Sequence, residues 1–129
     1  MSIDNTTNIV YDYRNKEMQM EIEDSKILQR EILLGFWKIH ILYHAGEQPI
    51  IGQWMIRELH HHGYDVSPGT IYPIFSRLEE YGWLKCKTSS KDGLRAKKEY
   101  VLTKRGREVL KFLKQQISEL CREVAHCNK

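Results

Sequence analysis

Ser67-Pro68-Gly69-Thr70-Ile71-Tyr72-Pro73-Ile74-Phe75-Ser76-Arg77-Leu78-Glu79-Glu80-Tyr81-Gly82 is the stretch on which the fold turns. Ile71, Ile74, Phe75 and Leu78 fall at i, i+3, i+4 and i+7, one apolar stripe of a helix. Ser67 suits the N-cap, because a short hydroxyl can accept from free N–H groups, and Pro68 suits the first helical position. Gly82 ends the helix. Pro73 removes a backbone donor and crowds the turn before it. The regular helix therefore either starts later, near Thr70, or bends at Pro73.

Upstream, a short link from Tyr64 to Ser67 follows a helix from about Gly52 to His62, with Met55, Ile56 and Leu59 inward and Gly63 at its end. Before that, Asp24 or Ser25 can cap a helix running to about Ala45, with Ile27, Leu28, Leu34, Trp37, Ile41 and Leu42 at spacings of three and four. Gly46 is expected to stop it. Residues 1–16 read as a loose arm, with Ile9, Val10, Tyr11 and Tyr13 apolar enough to dock. Met18, Met20 and Ile22 alternate with polar residues and fit either an extended piece or the start of a helix.

Downstream, the period changes from 3.6 to 2. Leu84 and Cys86 alternate with Lys85 and Lys87, Asp92-Gly93 signals a turn, and Tyr100 and Leu102 mark a returning strand. Thr103 caps a last helix. The order helix, helix, helix, hairpin, helix predicts an α+β, mainly helical fold. It is a winged helix-turn-helix with a two-stranded wing and a long C-terminal dimerisation helix. The expected divisions are an N-terminal arm (1–25), the winged domain (26–103) and the C-terminal helix (104–129).

Composition agrees with one soluble domain: 129 residues, 41% hydrophobic and 29% charged, with no apolar stretch near the ~20 residues of a membrane span. The polar start, Met1 to Lys16, lacks the apolar core of a secretory signal. Three cysteines make an odd count without a paired framework, which fits a reducing compartment. A cytoplasmic location is expected. Net charge is only +3, but it is unevenly spread. Residues 1–84 carry 7 Lys/Arg against 12 Asp/Glu, and residues 85–129 carry 13 against 5. Such asymmetry suggests either a face turned toward a polyanion or a solvated charged surface.

The stretch Ser67–Gly82 closely resembles the third helix of PadR-family transcriptional regulators. Pro49-Ile50-Ile51-Gly52 resembles the family's Pro-Leu-x-Gly. Arg95-Ala96-Lys97-Lys98-Glu99-Tyr100-Val101-Leu102-Thr103 resembles its second wing strand, and Lys104-Arg105-Gly106-Arg107-Glu108 the start of its final helix. The resemblance covers roughly residues 30–115. It departs at Gly52-Gln53-Trp54, where the family usually has Gly-Tyr-Glu, and at Ala96, where a Pro is common. No effector response carries over.

The resemblance implies a DNA-binding homodimer whose third helix enters the major groove. The apolar stripe then faces the core, leaving Thr70, Tyr72, Pro73, Ser76 and Arg77 nearer the DNA. Arg77 can contact a guanine edge or a phosphate, or instead pair with Glu79 or Glu80 at the surface. Ser67 and Thr70 lie at a helix N-terminus that favours phosphate. Tyr72 can reach a phosphate or serve as a half-buried core aromatic. In the wing, Lys91, Arg95, Lys97 and Lys98 are placed to neutralise phosphates, with Lys85 and Lys87 assisting or merely protecting a strand edge.

In the last helix Leu110, Leu113, Ile117, Leu120 and Val124 repeat at three-four-three-four. That seam fits an intersubunit contact or packing on the chain's own domain. His40 and His44 have a zinc-compatible i, i+4 spacing and His60-His61-His62 form a cluster, yet no Cys-x-x-Cys or His-Glu-x-x-His completes either. No metal and no cofactor is assigned. Cys121, beside Arg122, and Cys127 read as small hydrophobes rather than redox sensors. Trp37 and Trp54 read as core rather than as the walls of a planar-ligand pocket.

No catalytic constellation stands out, so an enzyme is not expected. The expected function is a sequence-specific regulator, a repressor by resemblance, with double-stranded DNA and a second copy of the chain as partners. A small-molecule effector is left open. The alternatives are a winged-helix adaptor that binds protein, and a ligand- or metal-responsive switch.

Overall fold

The computed structural model describes residues 2–4, 9–11, 19–88 and 97–126. Three short strands, β1 (Ser2–Asp4), β2 (Ile9–Tyr11) and β3 (Gln19–Glu21), form an antiparallel sheet in that order. The expectation of a loose arm missed this sheet. Around Met20 the chain is extended, and the helix begins directly after it, at Ile22.

The first long helical run has three parts: α1 (Ile22–Leu28), a π-helical turn (Gln29–Leu33) and α2 (Leu34–Glu47). Neither Asp24 nor Ser25 caps it. Glu21 holds the N-cap position without a side-chain bond, while Glu23 and Asp24 sit in the first turn, where the helix dipole favours acids. Ser25 is buried and its Oγ accepts from Gln29 Nε2 at 3.3 Å. The π turn widens the spiral and shifts the phase of the face before it. Leu33, Trp37, Ile41, Leu42 and Ala45 are buried, whereas Ile27 is exposed rather than inward. Gly46 does not stop the helix. A side chain there would stand 3.0 Å from Leu102 Cδ2, so this glycine permits close approach of the wing.

The helix pair α3 (Gly52–His61) and α4 (Pro68–Glu80) follows, with Met55, Ile56 and Leu59 buried on one and Ile71, Ile74, Phe75 and Leu78 on the other. Each such burial stabilises by about 1.5–3 kcal/mol. Ser67 occupies the N-cap of α4, yet its Oγ faces Thr70 Oγ1 at 3.3 Å instead of a backbone N–H. The helix starts at Pro68 and runs on through Pro73. The hydrogen bond Pro73 cannot make would reach Gly69, and both residues are exposed, so water can satisfy that carbonyl. Gly82, at φ +83°, turns the chain out of the helix.

The wing consists of β4 (Leu84–Thr88) and β5 (Lys98–Leu102), antiparallel with Cys86 opposite Tyr100. Asp92-Gly93 and the tip lie outside the described residues. Ile50 adds a one-residue antiparallel bridge to β5 by exchanging backbone hydrogen bonds with Tyr100 at 3.0 and 2.8 Å. Tyr100 packs its ring on Phe75 at 4.6 Å, and its burial pushes the phenol pKa up.

The last helix, α5 (Lys104–Val124), is capped as expected: Thr103 Oγ1 accepts from Gly106 N at 3.0 Å. The same hydroxyl donates to Gly82 O at 2.7 Å, joining both ends of the wing. Among the described residues no helix is long and apolar enough to cross a membrane.

Two glycines give opposite expectations. A Cβ at Gly106 would stand 2.2 Å from the Trp83 carbonyl oxygen and 2.6 Å from Leu102 Cδ1, while at Gly35, inside α2, it would meet nothing within 4 Å. Gly106→Ala should destabilise by about 1–3 kcal/mol through overpacking. Gly35→Ala should stabilise by up to about 1 kcal/mol through helix propensity. Urea unfolding midpoints check both signs.

Candidate nucleic-acid interface

The anchoring of α4 decides what it exposes. With Ile71, Ile74, Phe75 and Leu78 held in the core, Tyr72, Pro73, Ser76 and Arg77 stand on its open side, and Ser67 is exposed at its start. Thr70 is half-buried beside Ser67. Among the described residues Arg77 makes neither of the surface pairs open to it, since Glu79 turns its Oε2 to the backbone N of Cys86 at 3.3 Å. The Arg77 guanidinium is therefore free of an intramolecular carboxylate.

Tyr72 combines both of its expected roles. Its ring lies against the start of α3, so close that a Cβ on Gly52 would stand 2.2 Å from Cε1. The residue nonetheless remains 42% exposed. Gly52 is thus a packing glycine that seats an aromatic between the two helices.

Lys97 and Lys98 are exposed on the wing and share a cleft of about 250 Å³ with Ile51, Gln53 and Tyr72. The cleft joins the start of α3, the open side of α4 and the second wing strand. Gln53 was not among the expected residues; only the docking of β5 beside α3, through the Ile50–Tyr100 bridge, brings it there. Lys85 and Lys87 are also exposed. Lys91 and Arg95 lie outside the described residues.

The last-helix seam divides in two. Leu110 is buried within the protomer and Leu113 packs against the same core, so these two serve the chain's own domain. Ile117, Leu120 and Val124 are 42%, 56% and 68% exposed. Ile117 and Leu120 line an apolar groove of about 610 Å³ with Phe36, Ile39 and Tyr43 of α2. Trp37 is a core residue edge-on to Tyr64 at 5.8 Å, and Trp54 is partly buried against His44. Cys86 is a free thiol on β4, whereas Cys121 is disulfide-bonded, against the reading of the cysteines as unpaired; Cys127 lies outside the described residues.

The sequence profile of the Transcriptional regulator PadR-like family matches residues 41–112, more than half of the chain. The chain belongs to the PadR-like family of transcriptional regulators. It is 42% identical over 95 residues to Transcriptional regulator Rv3488 of Mycobacterium tuberculosis, covering 74% of this chain and 88% of that one. Its fold resembles the crystal structure of a PadR family transcriptional regulator from Eggerthella lenta. There the TM-score is 0.66 at 28% identity, with 81% of this chain and 90% of the other covered. A PadR-like transcription factor from Bacteroides fragilis gives the same TM-score, 0.66, at 24% identity, covering 77% of this chain and 96% of that one. Membership of this family fits the mainly helical winged fold and its long final helix. The matched region ends at residue 112, before Ile117, Leu120 and Val124 of α5.

Proposed function

We propose that the chain is a sequence-specific DNA-binding transcription regulator that acts as a homodimer on a pseudo-palindromic operator. One observation carries the reading. The open side of α4 presents Tyr72, Pro73, Ser76 and Arg77 beside the exposed Lys97 and Lys98, and among the described residues Arg77 makes no ion pair. A polar, unpaired helix face next to a basic hairpin suits a helix in the major groove with the wing along the backbone. Arg77 reads a guanine edge, with Ser76 and Tyr72 beside it. Ser67 and Thr70 meet phosphate at the start of α4, and Lys97 and Lys98, with Lys91 and Arg95, supply charge neutralisation. By analogy with the family the outcome is repression, through occupancy of a promoter in the cytoplasm.

The dimer reading rests on the groove between α2 and α5. An exposed apolar surface of this extent is the usual mark of a protein contact. A two-fold pair closed through Ile117, Leu120 and Val124 would bring both α4 helices to one side, about 34–36 Å apart for successive major grooves.

Duplexes selected from a random pool at fixed salt supply the operator for a direct test. Arg77→Ala should relax the preference at one base position of each half-site and cost about 1–3 kcal/mol there. Replacing Lys97 and Lys98 with Ala should weaken all duplexes alike and flatten the log–log salt slope by about 2. Wild-type affinity and slope in both variants would remove DNA from this surface and favour the protein-binding adaptor.

Dimerisation has its own check. Leu120→Asp should leave the helical signal intact while sedimentation shifts the chain to a monomer, with binding to a two-half-site duplex weakened at least about tenfold through lost avidity. A variant that still sediments as a dimer would refute the α5 contact.

A further inference from the structure

The sequence holds two separate histidine features, His40 with His44, and the run His60-His61-His62. Helix packing selects three of these five. The ligand-capable nitrogens of His40, His44 and His62 all lie within 4.8 Å of one another, and all three residues are half-buried. His40 and His44 are successive turns of α2 with their rings nearly parallel, 6.4 Å apart. His62 arrives from the end of α3, its ring 4.8 Å from that of His40.

A carboxylate completes the group. Glu58 Oε2 is 3.6 Å from His44 Nε2 and 3.3 Å from His62 Nε2. Of the other two histidines of the run, His60 turns away, its Nε2 3.1 Å from the Val66 carbonyl, while the largely exposed His61 brings its Nδ1 to 3.8 Å from the other carboxylate oxygen, Glu58 Oε1.

Burial, and the proximity of the other imidazoles, hold His40 below the usual histidine pKa, and burial does the same to His44. Neutral imidazole is the form that binds a metal. Three converging imidazoles, two of them within 3.6 Å of one carboxylate oxygen, exceed what a single ion pair needs. They match the donor set of a borderline divalent ion, which takes His nitrogen and carboxylate oxygen in tetrahedral sites.

We propose that His40, His44, His62 and Glu58 form a binding site for one transition-metal ion of the zinc class. Ligand atoms about 2.0–2.1 Å from a common ion stand about 3.3 Å apart in a tetrahedron. The ion would staple α2 to the end of α3, the first helix of the helix-turn-helix pair. His40, His44, His62 and Glu58 line the same groove as Ile117 and Leu120, and none of them lines the cleft of Tyr72, Lys97 and Lys98.

The test uses the full chain, stripped of metal, titrated with Zn²⁺ against a chromophoric chelator and separately with Co²⁺ for its visible absorption. One ion per chain is expected, with the intense Co²⁺ bands of a four-coordinate site and a Zn²⁺-dependent rise in melting temperature. Second-shell losses alone cost 10–100-fold, so His40→Gln, His44→Gln and His62→Gln should each lower affinity at least about 100-fold. Glu58→Gln should lower it at least about tenfold. His60→Gln, whose ring meets the Val66 carbonyl and not the group, should bind like the wild type.

His62 sits past the last turn of α3, so its variant should remain folded by circular dichroism even where those in α2 do not. Unchanged affinity in His62→Gln would overturn the site. So would affinity lost only in His61→Gln, which would mark surface capture. Unchanged affinity in Glu58→Gln would overturn the four-ligand assignment.

Discussion

Everything functional in this chain depends on one packing constraint: the aliphatic and aromatic stripe of α4 is fully enclosed. Ile71, Phe75 and Leu78 are at zero exposure, and Ile74 is nearly so. Truncating a buried Phe of this kind typically costs about 3–5 kcal/mol, a large part of a small domain's stability. The rotation of α4 about its own axis is therefore not adjustable. Since side chains on a helix sit at fixed angular offsets, fixing one stripe also fixes the direction of Tyr72, Ser76 and Arg77. The surface proposed for recognition is in this sense a by-product of the core.

The wing is tied to that constraint at three points. Tyr100 stacks on Phe75, Ile50 pairs with Tyr100, and Thr103 joins the Gly82 turn to the start of α5. All three involve residues that carry no charge and contact no proposed ligand. They place the strand bearing Lys97 and Lys98 beside the start of α3. Affinity supplied by lysines is tolerant of small displacement, because phosphate attraction falls off gently over a Debye length. Base reading is not tolerant. It is consistent that the charged residues ride on the hairpin and Arg77 rides on the clamped helix.

Much of this was legible from residue order. The stripe Ile71, Ile74, Phe75 and Leu78, the cap at Thr103 and the alternation around Cys86 are local signals, and each marks the element that forms. Local signals failed where a distant contact set the outcome. Gly46 reads as a stop but serves the approach of Leu102. Leu110 continues an unbroken seam with Leu120, yet only the docking of α5 on α2 tells the buried member from the exposed one. The π turn moves the face of α1 by a phase that no regular period anticipates. The short N-terminal strands carry too few residues for an alternation to register. The convergence of His62 on His40 and His44 needs the crossing of two helices, and spacing along the chain cannot supply it.

The helix α2 is where these layers meet. One face holds Trp37 and Ile41 in the core beneath the helix-turn-helix pair, and the opposite face borders the groove with Ile117 and Leu120. His40 and His44 line that groove as well, and their partners Glu58 and His62 come from α3 and its C-cap. A ligand at either place shifts DNA affinity only by the difference in its own affinity for the free and DNA-bound arrangements. That difference can arise here because α2 touches both the apolar groove and the helix-turn-helix pair. A ligand seated wholly on the far end of α5, at Val124, would meet no such element. Residues that change the response to an effector are thus expected along α2 and the end of α3, not on the surface proposed to meet DNA.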